Sequence, residues 1–315
     1  MSAWSFTPTD GVGRLRAELS SQGYSLIRVA DAARDAATSP WTFAERLFGE
    51  APRMVERQPI RPVAGGRSFA STDVFTPLHT DSQLYLGAPA GAQVMACERA
   101  ASSGGESHLI DAWALCETIA RSDHALFEAL VRTHRRMPFV FGDVLGPTLA
   151  IRAGMLTFTH SPMAPSDAVA TRLAPWIERA PRITVPVRAG ETLALDNHRM
   201  LHGRAAFRDA GRSFVRLLVW LPTPLGAHPT LHAIASRELS AREAALGGAS
   251  VVARSRHGFA PTVDAESARR LRVVMEMLRG APPGVLAARE GVPESELYAW
   301  RDAAIDGAAR ALTER

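Results

Sequence analysis

The sequence predicts a β-sandwich or barrel decorated by helices, mainly β with α, followed by a small helical module. Three observations carry this. Short stretches alternating apolar and polar residues recur between residues 68 and 221, punctuated by Gly and Pro. Longer stretches with helical spacing stand between them. After Pro222 the alternation stops, and a purely helical pattern returns from Asp264.

The elements follow in order. Residues 11–21 place Val12, Leu15 and Leu19 on one helical face, and Gly23 then opens an apolar strand over 24–29. A second helix is expected over 42–48, ended by Gly49. Residues 68–97 read as two strands and a connection, interrupted by Pro77 and by Gly87 to Gly91. Residues 112–135 read as one helix burying Leu115, Ile119, Leu126 and Leu130. Strand patterns return at 155–159, 183–187, 192–195 and 214–221. Residues 223–262 are rich in Pro, Gly, Ala and Ser with weak periodicity. Two domains are expected, 1–260 and 261–315, and no internal repeat is present.

Apolar residues make up 46% of the 315, enough for a large core. The net charge is +4, and every basic residue is Arg. The absence of Lys excludes Schiff-base and P-loop lysine chemistry. So small a charge argues weakly for nucleic acid. Cys97 and Cys116 lie in apolar surroundings outside any Cys-x-x-Cys pair, as expected of reduced thiols in a cytoplasmic protein. The first residues carry no basic start and no apolar stretch, so no signal peptide is expected. No run of eighteen apolar residues suggests a membrane span.

The chemistry concentrates in two segments. His79-Thr80-Asp81 on an extended chain projects one imidazole and one carboxylate to the same side. The best third ligand is His202, in the stretch from Asp196 to Arg204. Two imidazoles and one carboxylate leave three coordination positions open, the pattern of non-haem iron(II). A lone His-x-Asp is more often a surface turn. Three open positions suit a chelating 2-oxo acid plus dioxygen. The far carboxylate of 2-oxoglutarate then needs a fixed cation, and Arg212 stands ten residues beyond His202 at the start of a strand. Arg216, four residues further, faces the same side if that strand is regular. His198 imitates a zinc-type i, i+4 pair with His202, but the strand before it argues against ligation. His108, His160, Gln93, Tyr85 and Phe158 are candidate lining residues, although such side chains are more often merely packed or hydrogen-bonded.

These motifs together resemble the taurine dioxygenase and clavaminate synthase-like superfamily: His79-Thr80-Asp81, the turn Gly104-Gly105-Glu106-Ser107, Asp196-Asn197 through His202-Gly203-Arg204, and Arg212 through Arg216. Order and spacing match over residues 20–222. The resemblance implies a double-stranded β-helix (jelly roll), bound Fe(II), and decarboxylation of 2-oxoglutarate to succinate. It assigns His79, Asp81 and His202 to iron and catalysis, and Arg212 to the distal carboxylate. Ser107 takes the place of a Thr that helps hold that carboxylate, and Arg216 the place of an anionic-substrate contact. Related halogenases lack the carboxylate that Asp81 supplies, so hydroxylation or another oxidation is expected. The substrate would be a small, possibly anionic metabolite, such as an amino acid derivative or natural-product intermediate.

The last segment reads as three helices over 266–279, 283–290 and 293–304, with Gly and Pro at their ends. Ala287, Ala288, Gly291 and Leu297 resemble a DNA-binding helix-turn-helix. Residues 265–315 carry eight Arg and eight Asp or Glu, and this neutrality argues against DNA. Val273, Val274, Met277, Leu278, Val285, Leu286, Leu297, Tyr298 and Trp300 offer apolar surface for docking on the jelly roll or on a second subunit in a homo-oligomer. Two other readings stand beside the oxygenase: a DNA-associated regulator using the fold as a ligand sensor, and a non-redox metal-binding jelly roll.

Overall fold

The computed structural model describes residues 2–66, 68–139, 142–165, 167–245, 265–278 and 281–313. The chain opens with strand β1 (Trp4–Ser5), helix α1 (Pro8–Gln22), strand β2 (Tyr24–Arg28) and helices α2 (Ala32–Thr38) and α3 (Pro40–Phe48). Four strands follow: β3 (Met54–Ile60), β4 (Thr76–His79), β5 (Ala92–Arg99) and β6 (Ser107–Asp111). Helices α4 (Ala112–Ser122) and α5 (His124–Arg132) precede β7 (Arg135–Phe139), β8 (Gly142–Gly146), β9 (Leu149–Arg152) and β10 (Met155–Phe158). Helix α6 (Ala168–Arg179) leads to β11 (Ile183–Val185), β12 (Glu191–Asp196), β13 (Met200–Arg204) and β14 (Ser213–Trp220). Four helices complete the described chain: α7 (Pro229–Ala245), α8 (Ala265–Leu278), α9 (Pro283–Glu290) and α10 (Glu294–Thr313).

Alternation along the strands builds four layers. A six-stranded sheet, ordered β1-β2-β12-β5-β14-β3, faces a four-stranded sheet, ordered β11-β6-β13-β4. On β5, Ala92, Val94 and Ala96 turn outward to the core shared with α1, α2 and α3, while Gln93, Met95 and Cys97 turn inward. On β14 the small and branched Val215, Leu217 and Val219 meet the same helices, and Phe214 and Arg216 face the second sheet. Leu109, Leu193, Leu195 and Met200 join the two sheets in one buried cluster. The outer face of the smaller sheet packs Leu78, Ile110 and Leu201 against α4, α5, α6 and α7. This is the jelly roll that the sequence motifs imply, and its inner space holds the candidate site.

Several expectations change. The single helix over 112–135 is two helices, because Asp123 ends α4 and accepts the Leu126 N–H to cap α5 (3.0 Å). Helix α7 occupies a stretch that showed only weak periodicity, since few of its positions are buried, Leu231 and Ala235 among them. Helix α6 contains Pro175, which hides it from a helix pattern. Strand β3 was unread: its centre is Glu56, Arg57 and Gln58, and Pro59 sits at its end.

The expected boundary near residue 260 lies outside the described residues. Helices α8 to α10 form their own core from Val273, Val274, Met277, Leu286, Leu297, Tyr298 and Trp300. Most of the apolar residues expected to dock elsewhere therefore pack within the module itself, while Leu278 also meets the jelly roll. The junction with the jelly roll is narrower. Leu278 packs beside Met54, Leu218 and Trp220, and the buried Arg301 donates to Val55 O (3.1 Å) and Arg57 O (3.5 Å). Strand β3 is an edge strand, so Arg301 satisfies carbonyls that no neighbouring strand could reach.

Candidate metal centre

Strand pairing brings the two imidazoles together. In the β4–β13 ladder His79 stands directly opposite His202, and their ring centroids are 4.4 Å apart. Asp81 lies two residues past His79, just beyond the strand. Ligand atoms of His79, Asp81 and His202 all fall within 4.8 Å of one another. His79 Nδ1 lies 2.8 Å from Pro77 O, so its proton donates there and Nε2 keeps a free lone pair. Burial, with His202 close by, lowers His79 to about 3, so it is neutral at pH 7. Burial alone would raise Asp81, but Arg216 and the two imidazoles outweigh it and hold the carboxyl well below the usual range. A neutral His79 imidazole beside an ionised Asp81 carboxylate, with His202 opposite, is a donor set that suits a divalent cation.

Asp81 is gripped from both sides. Arg216 Nη1 donates to Asp81 Oδ1 (2.8 Å), and Arg216 Nη2 donates to Gln58 Oε1. Gln93 Nε2 donates to Asp81 Oδ2 (2.5 Å) and lies 2.9 Å from His202 Nε2. Oδ2 and His202 Nε2 are 3.5 Å apart. The Gln93 amide therefore sits against the two atoms that a cation would share, and its hydrogen-bonding must rearrange when one binds. Neither contact is signalled in the sequence: Gln58 lies on a strand without apolar alternation, and Gln93 stands as one polar residue in an apolar stretch.

A cavity between the sheets is lined by His79 and His202, by Met95, Ser107, Leu109, Leu193 and Leu195, and by Arg212 and Arg216. Arg212 is 2% exposed, with Nη1 unpartnered and its guanidinium 4.0 Å from the Phe214 ring centroid. Burial, then Arg204, lowers it to about 10, which leaves it protonated. Among the described residues no carboxylate pairs with it, and a buried unpaired cation is costly. An anion beside it in the cavity would remove that cost. Gly105 makes room: at φ 77° it sits where a Cβ would lie 3.1 Å from Arg212 Nε. Arg204 is engaged elsewhere, donating to the carbonyls of Phe69, Thr72 and Val74.

The other candidates fall away from the cluster. His198 Nε2 lies 2.9 Å from Pro89 O, and His108 Nδ1 lies 3.2 Å from Thr184 Oγ1. Phe158 belongs to the outer cluster, and Tyr85 packs near Trp220. His160 ties its backbone to Thr80, donating N–H to Thr80 Oγ1 and accepting the Thr80 N–H (both 3.0 Å).

Residues 43–142 match the family model described as taurine catabolism dioxygenase TauD, TfdA family. That stretch contains His79, Asp81 and Ser107 but stops before His202, Arg212 and Arg216. No curated protein matches the sequence. Among solved structures, asparagine oxygenase in complex with Fe(II), 2S,3S-3-hydroxyasparagine and succinate is similar at 15% identity. The alignment covers 70% of this chain and 85% of that one, with a TM-score of 0.52. A second structure of asparagine oxygenase gives 15% identity, 70% and 84% coverage, and a TM-score of 0.50. The non-heme iron oxygenase OrfP in complex with Fe and alpha-ketoglutaric acid gives 17% identity, 67% and 80% coverage, and a TM-score of 0.47.

Proposed function

We propose that the protein is an Fe(II)- and 2-oxoglutarate-dependent dioxygenase that hydroxylates a small metabolite, with an amino acid or its derivative as the substrate class. The observation that carries this is one cavity lined both by the two histidines of a His-Asp-His cluster and by a buried arginine whose Nη1 has no hydrogen-bond partner among the described residues. Asparagine oxygenase, whose fold is similar, binds Fe(II), succinate and a hydroxylated amino acid. The match of residues 43–142 to a dioxygenase family supports the same reading.

His79, Asp81 and His202 would hold the iron. Bound there, iron(II) would supply dioxygen activation coupled to decarboxylation of 2-oxoglutarate to succinate and CO2. The chain's own groups do the rest. Arg212 would fix the distal carboxylate, and Ser107, which lines the same cavity, would assist. Apolar walls from Met95, Leu109, Leu193 and Leu195 exclude water and strengthen each polar contact. Arg216 could receive an anionic substrate only by sharing its guanidinium with Asp81 and Gln58, so we assign it first to holding Asp81. Two buried, unpaired thiols fit a cytoplasmic location.

Anaerobic addition of Fe(II) and 2-oxoglutarate should produce a weak visible charge-transfer band, and candidate amino acids should stimulate succinate release. His79→Ala, Asp81→Ala and His202→Ala should each abolish the band. Retention of band and turnover in all three would overturn the ligand assignment.

A further inference from the structure

Pairing in the sheet fixes two of the three proposed ligands, but not the third. His79 and His202 are opposite one another in a strand ladder, whereas β4 ends at His79 and leaves Asp81 outside it. Backbone groups there must find partners elsewhere. Asn197 supplies both of them. Its Oδ1 accepts the Asp81 N–H (2.9 Å), and its Nδ2 donates to Asp81 O (2.8 Å). The second Nδ2 hydrogen goes to Ala90 O (2.9 Å), and the Asn197 N–H donates to Gly91 O (3.0 Å).

Asn197 is fully buried. A side-chain amide matches a peptide group, with one acceptor and two donors in a plane. Every one of those valences is used, and two close a ring with the peptide groups of Asp81. An aspartate here would keep the shape but point a second acceptor at two carbonyls. An alanine would leave the Asp81 N–H and C=O buried without partners. Asn197 also occupies the β12–β13 turn, five residues before His202. One amide thus joins the two segments that carry the ligands.

We propose that Asn197 is a positioning residue of the metal centre: it sets the backbone of Asp81, and through it the direction of the carboxylate, relative to His202. This rests on the metal-centre reading above. The residue touches neither substrate nor metal, and it acts through the Asp81 peptide. Loss of an outer partner of a metal ligand typically lowers affinity about 10–100-fold.

Co(II) titration of the full chain, without 2-oxoglutarate or turnover, tests this. Wild type, Asn197→Asp, Asn197→Ala, Asp81→Ala and Leu173→Ala are compared. Leu173 lies in the outer core, so its truncation controls for general loss of stability. Apo thermal melts are recorded for each. Expected are roughly 10–100-fold weaker Co(II) binding in both Asn197 variants and visible spectra shifted toward that of Asp81→Ala, while Leu173→Ala keeps the wild-type spectrum and affinity. Wild-type affinity and spectrum in Asn197→Asp, or an equal loss in Leu173→Ala, overturns the proposal alone. A wild-type chain that binds no Co(II) overturns the metal reading and this inference with it. Should Asn197→Ala fail to fold, the isosteric Asn197→Asp carries the comparison.

Discussion

Arg212 and Arg216 are four residues apart yet have opposite surroundings. The β14–β5 register shifts between Ser213 and Phe214, so strict alternation does not carry Arg212 to the place that Arg216 occupies. Arg216 meets two acceptors, and Arg212 lies between aromatic rings with Nη1 free. Arg212→Ala should therefore raise the 2-oxoglutarate requirement about 10–100-fold, from loss of a charged hydrogen bond of ~1.5–3 kcal/mol, and leave metal affinity near wild type. Arg216→Ala should weaken metal binding, because Asp81 loses its main charge partner. Titrating the anaerobic band with 2-oxoglutarate, and separately with metal, distinguishes the two. The reverse pattern would exchange their roles. The clustering of His79, Asp81 and His202 was foreseeable from the sequence, because residue type and spacing carry chemistry. Gln58, Gln93 and Asn197 could not be given their contacts, since an amide in a sequence does not reveal which carbonyl or carboxylate it will meet.

At the scale of elements, the end of β12 carries a titrating group. Burial raises Asp196 to about 7, against opposing hydrogen bonds from the His198 and Arg199 N–H groups. A folded value above the ordinary 3.8 means the native state prefers the neutral acid. Its contribution is present below pH 4 and is lost as pH rises to 7. Asn at this position can still accept the His198 N–H without ionising. Relative to wild type, Asp196→Asn should gain stability between pH 4 and 7 and then level off, by at most ~4 kcal/mol at about 1.4 kcal/mol per pH unit. Urea melts of both proteins from pH 4 to 8 measure the difference, and a flat difference would mean that Asp196 ionises normally. Of the strands bordering the site, β5, β12 and β14 were legible from their apolar residues. Strands β6 and β13, the latter carrying His202, were not, since β13 is buried along its whole length and shows no alternation. Strand β3 was not legible either, because Glu56, Arg57 and Gln58 are stabilised by partners distant in sequence: Arg216 on the neighbouring strand and Arg301 from α10.

For the whole molecule, the question is what α8 to α10 serve. The helix-turn-helix resemblance would present α10 to DNA, but Arg301 near its start is 1% exposed and turned toward β3. Glu294 and Glu296 occupy its first turn, where phosphates would be repelled. We infer that the module belongs with the jelly roll. Tyr85 and Leu86, which follow Asp81 closely, pack in the cluster that Leu278 joins, so the module borders the loop after Asp81. Arg301→Ala should lower the melting temperature by several degrees, since ~1.5–3 kcal/mol is typical for charged hydrogen bonds. Truncation after Ala260 should reduce turnover. Full activity of the truncated chain, together with duplex binding by the isolated module at physiological salt, would overturn this assignment.

The guanidinium on β3 has a consequence for self-association. An uncovered outer strand offers its carbonyls and amides as a template on which another chain can lay a strand of its own. With Val55 O and Arg57 O occupied by Arg301, that template is interrupted. A chain shortened before α10 would regain it, and fragments lacking the module would then tend to grow edge to edge. The module would thus limit sheet growth as well as bordering the loop after Asp81.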